Sequence, residues 1–220
     1  MKVLLVYPNL PLMLVPPLSI AIFTNKLKSN GYQVDLFDTT SYTSEEISSP
    51  QNRVKFLQAR EFNNKDLGVI TRVNLLEDFK EKIKIYKPDC MIFSVVEDSF
   101  LKTVNMIEEV QHLKIPTIIG GVFPTAAPEI CLQYSCINLV GLGEGEETIL
   151  NFAEAVKYKK PLNNLPGTWY KTENGEIRKN EANPLINIDD NSPDFSLFEI
   201  SRFYRPMGGK IFKTIPICKR

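Results

Sequence analysis

The chain has 220 residues, 43% of them hydrophobic, and its 26 basic and 26 acidic side chains leave no net charge. That length suits one main domain with an appendage, and the balanced charge excludes the basic excess of a nucleic-acid binder. The longest apolar stretch, residues 10–23, is interrupted by Pro11, Pro16 and Pro17 and is too short to cross a bilayer. Cys90, Cys131, Cys136 and Cys218 form no CxxC pair and no export signal precedes them, so reduced thiols and a cytoplasmic location are expected.

Residues 3–6 form an apolar run closed by Tyr7-Pro8-Asn9, which reads as a buried parallel strand ending in a loop. Pro17 then opens a helix whose apolar side is Leu18, Ala21, Ile22, Phe23 and Leu27, with Gly31 as its left-handed cap. Val34 and Leu36 alternate in a second strand that ends at Asp38. Residues 39–71 are polar, broken at Ser48-Ser49-Pro50, and read as an excursion over the carboxyl edge, partly helical over 54–62. Helical spacing returns at Leu75, Leu76, Phe79 and Ile83, and Pro88 stops it before a third strand, Cys90-Met91-Ile92-Phe93. A helix through Leu101, Val104, Ile107 and Val110 leads to a fourth strand at 117–119. A short helix over 127–133, a fifth strand at 137–140 and a helix through Ile149, Phe152, Ala153 and Val156 follow.

Five strands alternating with helices predict an α/β fold over residues 1–160. It would be a doubly wound parallel five-stranded sheet of the Rossmann or flavodoxin kind, in the order 2-1-3-4-5. Its switch point lies between strands one and three, beside Pro8 and Ser94. Asn174-Gly175 signals a β-hairpin appendage within 161–182. Residues 183–220 read as a linker and the first strand of a further domain. Ile211 to Cys218 reads as a strand without partners, so residues 207–220 are expected to be poorly ordered. Such an ending suggests a piece of a longer chain.

No catalytic constellation and no metal-ligand set is visible. The single histidine, His112, falls near a helix end and reads as a surface residue. There is no nucleophile elbow, no HExxH and no phosphate loop. Two glycine loops stand out, Gly120-Gly121-Val122-Phe123-Pro124-Thr125 and Gly141-Leu142-Gly143-Glu144-Gly145, each after an apolar strand. Strand-end loops are where open α/β sheets bind ligands, and glycines such as Gly121 let the backbone come close to one. These loops supply most of the candidate contacts: Gly120, Gly121, Val122, Phe123, Pro124 and Thr125 from the first, Gly141, Gly143, Glu144 and Gly145 from the second. Pro8 and Asn9 after strand one, and Ser94, Val95 and Glu97 after strand three, complete them. Glu146 and Glu147 suit the start of a helix, whose dipole favours acids. The second loop partly mimics a dinucleotide fingerprint, but it follows strand five and its glutamates would repel a pyrophosphate.

The chain resembles the N-terminal cobalamin-binding domain of cobalamin-dependent radical S-adenosylmethionine (SAM) proteins, almost from end to end. Pro16-Pro17-Leu18-Ser19 is similar to that family's Pro-Pro-Leu-Gly turn. Gly31-Tyr32-Gln33-Val34 resembles Gly-His-x-Val, and Lys87-Pro88-Asp89 with Ser94 flanks strand three as in the family. Gly120-Gly121-Val122-Phe123-Pro124-Thr125 resembles Gly-Gly-x-His-Pro-Thr, with Phe123 where histidine is common. Gly143-Glu144-Gly145-Glu146 matches Gly-Glu-Gly-Glu, and Leu165-Pro166-Gly167-Thr168-Trp169-Tyr170 resembles the hairpin beyond it.

The resemblance implies cobalamin (vitamin B12) in this domain, next to a radical SAM barrel of the same polypeptide. That barrel would carry a [4Fe-4S] cluster and S-adenosylmethionine, in a methyltransferase or a related radical-mediated enzyme. Cys218 would precede the cluster motif and not be a ligand. Other cobalamin domains carry Asp-x-His-x-x-Gly after strand one, whose histidine binds cobalt. Residues 7–18 here hold no histidine. The resemblance therefore implies base-off cobalamin without an imidazole ligand, its nucleotide tail between sheet and helices. Two other readings stand beside it. One is a cobalamin-free structural or substrate-positioning domain, with Phe123 filling space a corrin would need. The other is a flavin binder, for which residues 8–17 lack the Ser/Thr-rich phosphate loop.

Overall fold

The structure, a computed structural model, describes residues 1–10, 15–42, 71–185, 192–207 and 210–213, with side chains as far as Phe203. The helix expected over 54–62 lies outside these residues.

The elements run β1 (Lys2–Tyr7), α1 (Leu18–Ser29), β2 (Gln33–Asp38), α2 (Leu75–Tyr86), β3 (Cys90–Ser94) and α3 (Phe100–Val110). They continue with β4 (Thr117–Gly120), α4 (Val122–Ala126), α5 (Pro128–Gln133), β5 (Leu139–Gly141) and α6 (Gly145–Lys157). The hairpin β6 (Thr168–Lys171) and β7 (Ile177–Lys179) follows, then β8 (Tyr204–Met207) and β9 (Lys210–Lys213). The main sheet has the order β2-β1-β3-β4-β5-β6-β7, parallel through β5 as the apolar runs predict. Pro17 is the cap before α1 and not its first residue.

The strands alternate between two packed layers, as a period of two demands. Leu4, Val6, Met91, Phe93 and Ile119 face α2, α3 and α5, where Phe79, Val104, Ile107 and Leu132 meet them. Val3, Leu5, Cys90, Ile92 and Ile118 face α1 and α6, against Ile20, Leu27, Ile149 and Phe152. Phe79, Phe93 and Phe152 are fully enclosed. Each aromatic side chain so buried stabilises the fold by about 3 kcal/mol at most.

The hairpin expected within 161–182 is present: β6 pairs antiparallel with β5 through Leu139↔Tyr170, Val140↔Trp169 and Gly141↔Thr168, so it also extends the main sheet. One expectation is corrected: the strand expected without partners has one, because β9 pairs antiparallel with β8 along Tyr204↔Lys213 to Met207↔Lys210. The rest of the strand expected at 211–218 lies outside the described residues.

Residues 192–203 lie back over the α1 layer. The Asp194 N–H donates to the Ala21 carbonyl (2.9 Å), and Lys28 pairs with the Asp194 carboxylate (2.9 Å). Phe195, Leu197, Phe198 and Phe203 add apolar contact there.

Candidate functional site

Four adjacent parallel strands end on one cavity. Tyr7, Ser94, Gly120 and Gly141 are the last residues of β1, β3, β4 and β5, and all four line a cavity of about 620 Å³. Its mouth is formed by Val95, Val96, Val122, Thr125, Gly143, Glu144, Gly145 and Glu146. Its interior runs below the strand ends, between the sheet and two helices. There Ile92 and Ile118 form the sheet side, and Phe23, Thr148 and Ile149 the helix side. The result is a mouth of glycines, valines and polar side chains beside an apolar cleft.

Three helices begin at this mouth: α1 after Pro17, α4 at Val122 and α6 at Gly145. The first N–H groups of a helix lack intrahelical partners, so the mouth is rich in backbone donors. The first turn of α1 carries no acid, while that of α6 carries Glu146 and Glu147. Glu147 pairs with Lys26 of α1 (2.5 Å) and ties the two cleft helices together. Glu146 lines the cavity instead.

The structure brings ten of the fifteen expected site residues onto the cavity wall: Ser94, Val95, Gly120, Gly121, Val122, Thr125, Gly141, Gly143, Glu144 and Gly145. It takes five elsewhere. Pro8 is buried, and the Asn9 side chain donates to the Thr40 hydroxyl (2.8 Å), away from the wall. Glu97 is exposed in the turn before α3, and Pro124 is buried in α4. Phe123 leans on the Phe100 ring at 4.8 Å between centroids, which draws it off the cavity.

Gly121 is on the wall for a different reason from the one expected. Its φ of 113° and a Val95 backbone within reach exclude a side chain: an added Cβ would sit 2.5 Å from the Val95 carbonyl oxygen. The turn is locked there by Val95 N–H donating to the Gly120 carbonyl (2.7 Å) and Phe123 N–H to the Val95 carbonyl (3.4 Å). The close approach that Gly121 permits is to the chain itself. Gly143 also has positive φ, 65°, but an added Cβ there would meet open space. Its N–H donates to the Thr125 hydroxyl oxygen (3.0 Å), a bond that joins the two glycine loops.

Residue-by-residue reading missed Tyr7, Phe23, Ile118, Thr148 and Ile149. The signal for Tyr7 was present: it shares the parity of Val3 and Leu5 and so faces the α1 layer. Burial raises the pKa of its phenol, so the group stays protonated and able to donate. His112 is exposed in the turn between α3 and β4, at the opposite end of the sheet. Among the described residues, no three His, Cys, Asp or Glu side chains come together as a metal site, and no helix is long and apolar enough to cross a membrane.

The sequence and the fold both have counterparts among known proteins. Residues 54–153 match the B12 binding domain family. This bears out the resemblance carried by the glycine motifs. Over 147 residues the chain is 26% identical to the anaerobic magnesium-protoporphyrin IX monomethyl ester cyclase of Rubrivivax gelatinosus, covering 63% of this chain and 26% of that protein. It is 29% identical over 133 residues to an uncharacterized methyltransferase of Pyrococcus horikoshii, covering 57% of this chain and 28% of the relative. The fold is shared with the radical SAM methyltransferase TsrM of Kitasatospora setae, solved with cobalamin and a [4Fe-4S] cluster. The TM-score is 0.61 at 20% identity, over 87% of this chain and 31% of that one. It is shared also with the cobalamin-dependent radical SAM enzyme OxsB, solved with aqua-cobalamin and S-adenosylmethionine (TM-score 0.55, 21% identity, 84% of this chain and 22% of OxsB). The chain thus spans about a quarter to a third of the length of these proteins.

Proposed function

We propose that this chain binds cobalamin base-off, without a protein imidazole on cobalt, as the corrinoid domain of a radical SAM enzyme. The observation that carries this reading is the two-part cavity. Its glycine-lined mouth suits the flat, amide-fringed macrocycle, and its apolar cleft beneath suits the benzimidazole of the nucleotide tail. Ser94, Thr125 and the backbone of Gly120 and Gly143 would meet the polar edge, while Phe23, Ile92, Ile118 and Ile149 would enclose the base. A tail in this cleft leaves the cobalt without its own base, and the only histidine is at the other end of the sheet. When bound, cobalamin supplies a cobalt centre able to carry and release an alkyl group. This chain's part is to hold it, exclude water from the cleft and present the open face at the mouth. The cluster and S-adenosylmethionine would lie in a barrel elsewhere in the same polypeptide.

The reading is tested by titrating the chain with hydroxocobalamin and with cobinamide, which lacks the nucleotide tail. Cobalamin should bind at least about tenfold more tightly, because only its tail can fill the cleft. Equal affinities would remove the tail from the cleft. His112→Ala should leave the visible spectrum of the bound cofactor unchanged, and a change typical of losing an imidazole ligand would overturn the histidine-free mode.

A further inference from the structure

A buried chain of hydrogen bonds runs beside the cavity wall and ends in the segment beyond the hairpin. It begins at Lys102 in the first turn of α3, whose Nζ donates to the Asn9 carbonyl (2.7 Å). The Asn9 N–H donates to Thr39 Oγ1 (2.8 Å), and the Thr39 hydroxyl returns to the Asn9 carbonyl (3.0 Å). Asn9 Nδ2 donates to Thr40 Oγ1 (2.8 Å), and the Thr40 hydroxyl donates to Asp38 Oδ1 (2.6 Å). The other carboxylate oxygen of Asp38 accepts from Nε of Arg202 (2.5 Å). Arg202 Nη2 reaches the carbonyl of Val15 (3.4 Å), just before Pro17 and Ser19 of the cavity wall. Asp38 is also the β-sheet neighbour of Tyr7, which lines the cavity from β1.

Adhesion alone does not account for Arg202. The segment 192–203 is already held by Phe195, Leu197, Phe198 and Phe203 against the α1 layer, and by Lys28 on Asp194. Arg202 is nevertheless 2% exposed. A buried ion pair is a poor source of net stability, since desolvation offsets most of the attraction. What a guanidinium offers there is geometry: a rigid fork that fixes two acceptors relative to each other. The acceptors here are the end of β2 and the loop that enters α1.

We propose that Arg202 is a positioning residue for the corrinoid site: by holding Asp38 and the Val15 carbonyl together it fixes residues 15–17 ahead of α1 against the end of β2 and so shapes the wall made by Tyr7, Pro17 and Ser19. The proposal rests on the cobalamin reading above. It makes residues 192–203 part of the binding unit, not a passive connection to whatever follows.

The test uses the full chain with Arg202→Met, which keeps the bulk and removes the fork, Arg202→Lys, which retains only the contact to Asp38, and Asp38→Asn. Hydroxocobalamin affinity, thermal unfolding and hydrogen exchange of residues 15–23 without cofactor are measured on each, the amides from Ala21 on being those bonded into the first turns of α1. Arg202→Met should unfold cooperatively, exchange faster at 15–23 and bind about tenfold more weakly, with Arg202→Lys between it and the parent. Combining Asp38→Asn with Arg202→Met should weaken binding no further than the worse single change. A folded Arg202→Met chain with parental affinity and parental exchange overturns the proposal. If Arg202→Met does not fold, Arg202→Lys decides by the same two readouts. If the parent chain fails to bind hydroxocobalamin, the cobalamin reading falls, and the exchange at 15–23 still decides whether Arg202 positions the start of α1.

Discussion

The two glycine loops look alike in sequence and do different work. Gly121 faces the backbone of Val95, so its missing side chain serves the packing of one loop against another. Gly143 faces open space beside the cavity, so its missing side chain leaves the mouth clear. A glycine at a strand end therefore does not by itself mark a ligand contact. The distinction lies in what stands opposite the absent Cβ.

That contrast can be broken experimentally. The largest effect is expected at Gly121→Ala, where a backbone clash and a positive φ act together. Urea unfolding should show a loss of about 3 kcal/mol or more, with cofactor binding lost alongside the fold. A stable Gly121→Ala chain with weakened binding would restore the expected close approach to a ligand. Gly143→Val should cost only about 1–2 kcal/mol for its left-handed backbone. It should weaken hydroxocobalamin binding about tenfold in a chain that still unfolds cooperatively. Unchanged affinity there would take the second loop off the site. The smallest effect belongs to the link between the loops. Thr125→Val removes the acceptor for the Gly143 N–H at a cost of about 1 kcal/mol, and Thr125→Ser should restore both stability and affinity. A valine variant with parental stability would show that the loops hold their positions independently.

Much of the framework was legible in the residues. Residues 3–6 and Cys90-Met91-Ile92-Phe93 are continuous apolar runs, and only a strand covered on both faces has such a pattern. The mouth was legible because glycines and Thr125 cluster after those runs. The cleft was not, since Phe23 and Ile149 read as ordinary core positions and only the packing of α1 and α6 shows the space between them. The surroundings of Asn9 were hidden for a related reason. A polar residue after a strand looks like a ligand contact until its partners, Thr39 and Thr40, are placed beside it thirty residues away by β2. The Arg202–Asp38 pair spans 164 positions, and no local pattern encodes it.

The pairing of β5 has a consequence for the order in which the chain matures. This strand has three residues, one bridge to β4 (Ile119↔Val140) and three to β6. Most of its partners are therefore made later than it is. On a ribosome, where the chain emerges from its N-terminus, the second loop would wait for the hairpin through Lys179 before most of its sheet pairing was made. A nascent chain cut at residue 160 would hold the second loop only by the single bridge to β4, the bond to Thr125 and the Lys26–Glu147 pair.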